Sequence, residues 1–69
     1  MTDKQRAEFS RRIKHLMIDK DVTQRELAAA AGVSDSFMSM VLSGTKTPTL
    51  GVAIAVSNKL GVTIESLIQ

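Results

Sequence analysis

One two-residue signal recurs three times along this chain: Val22-Thr23, Val33-Ser34 and Val62-Thr63. In each, the hydroxyl residue can cap the free backbone N–H groups that open a helix. The valine before it can pack on an apolar residue four beyond the cap, which is Leu27, Met38 or Leu67. Thr23 and Glu26 add the spacing of a capping box. Stop signals are equally regular. Gly32, Gly44 and Gly61 each follow a helix-period segment, where a left-handed residue ends a helix. No segment sustains the alternation of a strand. The chain is therefore restricted to short helices joined by tight corners, an all-α fold class.

Five helices satisfy these signals. The first runs from about Asp3 to Lys20, with Phe9, Ile13, Leu16 and Met17 sharing one face. The second covers about Gln24 to Ala31 and the third about Asp35 to Ser43. After the loop Gly44-Thr45-Lys46-Thr47-Pro48, Thr49 caps a fourth helix that ends near Leu60, and a short fifth runs from Ile64 to about Ile68. The fourth is apolar nearly all round from Leu50 to Val56, which places it at the centre of the core, with contact to a partner chain as the alternative.

With 69 residues the chain forms one domain, residues 1–69, and a domain of this size buries only about 60% of the surface its unfolded chain exposes. It has no cysteine and a single histidine, His15, so neither disulfides nor a structural zinc site can add stability. No metal or cofactor is expected. No apolar run is long enough to span a bilayer, and the N-terminus is polar; a soluble cytoplasmic protein is the expectation. Nine Lys/Arg against seven Asp/Glu give a net charge of +2, a mild bias towards anionic partners. Phe9 and Phe37 are the only aromatics, too few for a single-strand platform that stacks bases on rings. The serines have no partnered base to form a nucleophile triad, so no catalytic residues are assigned.

The second and third helices, separated by Gly32-Val33-Ser34, have the short glycine-containing turn of two helices packed at a steep angle, together spanning about residues 23–43. Projected at about 100° per residue, Phe37, Met38, Val41 and Leu42 of the third helix fall on one side. Asp35, Ser36, Ser39, Met40 and Ser43 fall on the other. The first side faces a core. The second is outward and slim, which lets the helix backbone lie close against another surface.

These blocks carry a resemblance. Thr23-Gln24-Arg25-Glu26-Leu27-Ala28, then Gly32 through Ser39, then Gly44 through Pro48, then Leu60-Gly61-Val62-Thr63, resemble in order and spacing the lambda-repressor/Cro-like helix-turn-helix family, from about Ile13 onward. The resemblance implies a compact five-helix domain whose third helix reads base edges in the major groove of double-stranded DNA. Carried over position by position, it puts Ser34, Asp35, Ser36, Ser39 and Met40 at base-reading positions and Gln24 at a phosphate. The unpaired N–H groups at a helix start favour an anion there as well. Thr23, Ser43, Thr45, Lys46 and Thr47 would be further backbone contacts. Arg25, beside Gln24, is a phosphate candidate from its place at the helix start. Lys4, Arg11, Arg12 and Lys14 read as a solvated face of the first helix, with Arg11 or Arg12 within reach of a flanking phosphate as the alternative. His15 stands four residues before Asp19, the spacing of a surface pair.

Two departures from the family pattern carry consequences. Relatives often place Arg or Gln on the outward face of the third helix, where either can make bidentate base contacts. Here the face holds Asp35, serines and Met40, so DNA shape or bridging water would supply part of any specificity. Asp35 either accepts from a cytosine or simply favours the helix N-terminus as a first-turn acid. Many relatives also pair an Arg late in the first helix with a Glu late in the third. The matching positions are Met17 and Leu42, both apolar, which should touch. Met17→Arg alone should then cost about 3 kcal/mol or more as an unpaired buried charge.

The function expected from this reading is a sequence-specific DNA-binding regulator, a phage or bacterial repressor. Two copies would act on a palindromic operator, with Val62, Ile64, Leu67 and Ile68 as the candidate dimer contact and core packing of most of them as the alternative. The competing expectation is an antitoxin-like protein-binding adaptor that keeps the fold and has lost base reading.

Overall fold

The computed structural model describes all 69 residues. It contains α1 (Asp3–Lys20), α2 (Gln24–Ala31), α3 (Asp35–Leu42), α4 (Leu50–Leu60) and α5 (Ile64–Ile68), and no strand. The third helix stops one residue short of expectation because Ser43 serves as its cap. Each helix opens on a Thr or Ser whose side chain accepts from a backbone N–H three residues on: Thr2, Thr23, Ser34, Thr49 and Thr63. Thr23 and Glu26 form the expected capping box, and Thr2 with Gln5 forms another that the sequence reading passed over.

The recurring valine does two jobs. At Asp21-Val22-Thr23, Gly32-Val33-Ser34 and Gly61-Val62-Thr63 the first residue is left-handed, with φ of 55°, 69° and 70°. The valine N–H then reaches back to a carbonyl in the last turn of the preceding helix, at Met17, Ala28 and Ser57. This is the six-to-one bond of a Schellman ending. The same valine lies half-buried against the core that contains Leu27, Met38 and Leu67. One three-residue corner, used three times, thus closes one helix and starts the next. The first corner places a non-glycine residue, Asp21, in the left-handed region.

The core comprises Phe9 and Ile13 of α1, Leu27 and Ala28 of α2, Met38, Val41 and Leu42 of α3, Val52, Ala53, Val56 and Leu60 of α4, and Leu67 of α5. Leu16 and Met17 pack on its edge. The radius of gyration is 10.4 Å and the extents are 25 × 22 × 19 Å. Polar groups inside are satisfied. Ser10 Oγ donates to Leu42 O, and Ser57 Oγ donates to Ile54 O.

Two expectations are corrected. The fourth helix is central, but it is not covered all round: Leu50 is 72% exposed and Ile54 42%. A helix seated on α2 and α1 buries one stripe, here Val52, Ala53, Val56, Ser57 and Leu60, and Leu50 and Ile54 lie one turn apart on the open side. Of the residues assigned to a dimer contact, Leu67 is 1% exposed and belongs to the core, while Val62, Ile64 and Ile68 lie half-buried against it. A helix as short as α5 stays in place by burying its apolar side on the body of the domain, which leaves Leu67 unavailable to a partner. His15 makes no ion pair with Asp19; it borders a cleft between α1 and α5 with Arg12, Leu16 and Ser66. No helix is long and apolar enough to cross a membrane.

Candidate nucleic-acid interface

Helix α3 has two faces because Met38, Val41 and Leu42 are sealed in the core while Asp35, Ser36, Ser39 and Met40 are exposed. Ser34 is exposed too, with its hydroxyl accepting from Phe37 N at 3.0 Å. All five residues expected at base-reading positions are therefore open to solvent. Phe37 is half-buried at its edge. The Lys46 ammonium sits 5.2 Å from the Phe37 ring centroid, a cation–π contact that holds the α3–α4 loop against α3.

The start of α2 is fastened to the start of α3. Gln24 Nε2 donates to the Asp35 carbonyl oxygen at 3.2 Å. Arg25 Nε lies 3.7 Å from Asp35 Oδ2. Asp35, expected at a base, is thus the partner of Gln24 and Arg25, both expected at phosphates. Thr23 is occupied by its capping box, its hydroxyl accepting from Glu26 N and donating to Glu26 Oε1.

The loop after α3 is built with similar economy. The N–H groups of Thr45 and Lys46 both reach Met40 O, with Gly44 left-handed at φ 79° to make the turn. Ser43 Oγ donates to Met40 O at 3.0 Å and is 2.7 Å from Thr45 Oγ1. Thr47 Oγ1 accepts from Arg6 Nη1 of α1 at 3.2 Å. Ser43, Thr45, Lys46 and Thr47 are all exposed, in positions fixed by these bonds.

Sequence reasoning offered Arg11 or Arg12 of α1 near a flanking phosphate, but it missed the clefts that α1 forms with the end of α3. One cleft, of about 550 Å³, is bordered by Lys14, Met17 and Ile18 of α1, Gln24 of α2, and Ser39, Leu42 and Ser43 at the end of α3. A second, of about 350 Å³, is bordered by Arg6, Ser10, Arg11 and Lys14 of α1 and by Ser43 and Gly44. Both Met17 and Leu42 border the first cleft, so the two positions expected to meet do face a common space, and it is open to solvent. The available signal was the small pair Ala7 and Ser10 on the cleft side of α1, which lets another element approach. On the far side of α1, Arg12 bonds Glu8 and the Ser66 carbonyl, which takes it away from this surface. Glu8 is held below the usual carboxylate range, first by its hydrogen bond from Arg11 and then by the charges of Arg11 and Arg12.

The helix-turn-helix family profile matches residues 13–67. The chain belongs to the helix-turn-helix family of the Xre and lambda-repressor type, a family of DNA-binding regulators. No curated protein and no solved structure matches it.

Proposed function

We propose that this chain is a sequence-specific double-stranded DNA-binding transcriptional regulator, a phage or bacterial repressor acting in the cytoplasm, that lays α3 in the major groove. The observation that carries this reading is the division of α3 into a sealed apolar side and an exposed side made only of Asp35, serines and Met40. Around that side Gln24 and the Ser43–Thr47 segment are held where phosphates would flank the groove. Short side chains let the helix approach the base edges. Serine accepts either base, Met40 can cover a thymine methyl, and Asp35 can accept from cytosine N4.

Two half-sites lie about 34 Å apart, and the domain measures 25 Å in its longest direction. One copy therefore reads one half-site, and a homodimer on a palindromic operator follows. Among the apolar side chains left on the surface, Leu50 and Ile54 suit the contact. Leu50 shares a cleft with Ile64 and Ile68, which extends the patch onto α5.

Selection of bound duplexes from a random pool tests the proposal: a recurring palindromic motif is expected, and the absence of any enrichment overturns base reading. One observation favours a second reading, the protein-binding adaptor, because the exposed side of α3 bears no Arg, Lys, Asn or Gln. Binding to duplex that weakens steeply with salt supports the first reading, and binding without a salt slope supports the second.

A further inference from the structure

We infer that Met40 is a modification site, at which a peroxide converts the thioether to a sulfoxide and changes what α3 reads; this rests on the DNA-binding reading above. The chain has no cysteine, so its four methionines are the side chains most open to reversible oxidation. The fold separates them. Met38 is sealed in the core at 0% exposure, and Met17 is half-buried at the rim of the first cleft. Met1 is exposed, but it stands at the chain end beside Thr47, Pro48 and Leu50. Met40 alone combines exposure, 39%, with a place on the outward side of α3, one turn after the exposed Ser36. It takes no part in the core. Its carbonyl anchors the following loop by accepting from Thr45 N, Lys46 N and Ser43 Oγ, so the side chain can change without loosening the backbone.

In the reaction the sulfur lone pair attacks one oxygen of hydrogen peroxide. An S–O bond forms as the O–O bond breaks, and the departing hydroxide takes the proton of the transferred hydroxyl and leaves as water. Sulfur is oxidised by two electrons and the peroxide is reduced. The product replaces an apolar end, suited to a thymine methyl, with a polar oxygen that accepts hydrogen bonds and donates none. That oxygen opposes the thymine O4 acceptor and suits the amino group of adenine or cytosine instead. Enzymatic reduction of the sulfoxide restores the thioether, so the change is reversible.

The test treats the folded protein with hydrogen peroxide and locates the added oxygen by peptide mass spectrometry. Binding to the selected duplex is measured before and after treatment in wild type, Met40→Leu and Met17→Leu. Met40 should gain oxygen ahead of Met17 and far ahead of Met38. Oxidised wild type and oxidised Met17→Leu should bind about five-fold more weakly than their untreated forms, the cost of one mismatched base pair. Met40→Leu, whatever its own affinity, should bind equally before and after treatment. Thermal melts should coincide throughout, and sulfoxide reductase should restore wild-type binding. Oxygen arriving first at Met17, unchanged binding by the oxidised wild type, or the same loss in Met40→Leu overturns the Met40 site while leaving the DNA-binding reading intact. Failure of the untreated protein to bind any duplex overturns both.

Discussion

Ser10 of α1 donates its hydroxyl to the carbonyl oxygen of Leu42, the last residue of α3, at 2.7 Å inside the protein. Helix ends leave carbonyls without an intrahelical partner, and a buried one costs free energy unless something bonds it. Ser10 supplies the bond and fixes how far the end of the reading helix stands from α1. Ser10→Ala should lower stability by about 1–2 kcal/mol, measured by urea unfolding. A melt equal to wild type would mean that water replaces the hydroxyl.

The cleft beside Leu42 changes what is expected of Met17. An arginine there can extend its head into solvent, because Met17 lies at the rim of an open space and not in the sealed core. The cost of Met17→Arg falls from the value inferred from sequence to about 1 kcal/mol or less. Leu42 is only 6% exposed, so Leu42→Glu should cost about 3 kcal/mol as a buried, unpaired carboxylate. Combining the two should recover at least ~1 kcal/mol of that loss. A double-mutant cycle with no coupling would place the two side chains out of each other's reach.

Asp21 closes α1 in a left-handed conformation that its equivalents, Gly32 and Gly61, adopt without a side chain to accommodate. The penalty for a non-glycine residue there exceeds the entropy a glycine adds to the unfolded chain. Asp21→Gly should raise stability by about 0.5–1 kcal/mol. Thermal unfolding checks the sign.

The same corner explains how much of the fold was legible. Caps, glycine stops and valine staples are local signals, so the helices could be placed from Val22, Val33 and Val62 with their neighbours, together with Gly44 and Thr49. Which apolar residues a helix leaves outside is decided by what packs on it. Leu50 and Ile54 are as apolar as Val52 and Val56, and only the seating of α4 on α2 separates them. Leu67, open in the sequence between a dimer contact and the core, goes to the core for the same reason. At the candidate site, the outward side of α3 followed from helical projection. The joining of Arg6 to Thr47 and of Ser10 to Leu42 links residues 41 and 32 positions apart, which no periodicity reports.

Glu8 provides a pH handle on α1. Its carboxyl is held below the usual range by the Arg11 hydrogen bond first and by Arg12 in addition. A lowered acid contributes stability that is complete above its unfolded value, about 4.3, and is lost as pH falls through the lower folded value. Arg11→Gln should move the Glu8 midpoint upward, short of the ordinary value because Arg12 remains at 3.2 Å. Carboxyl NMR titration reads the shift directly, and an unmoved midpoint would assign the effect to Arg12.

Asp35 places a negative charge on a surface proposed to meet phosphates, and it holds Arg25 at 3.7 Å. Removing it has two consequences of opposite kind. Arg25 is released to the DNA backbone and a repulsive charge disappears, so Asp35→Ala should bind arbitrary duplexes several-fold more tightly. Its salt slope should steepen by up to about 0.9, the value of one added phosphate contact. If Asp35 also accepts from a cytosine, the preference at that base pair should be lost in the same variant, narrowing the gap between selected and random duplexes. Arg25→Gln combined with Asp35→Ala separates the two effects, because it should abolish the gain in affinity and leave the loss of preference. Tighter binding with an unchanged base preference would reduce Asp35 to a first-turn acid whose part is electrostatic, worth roughly 0.5 kcal/mol to the helix.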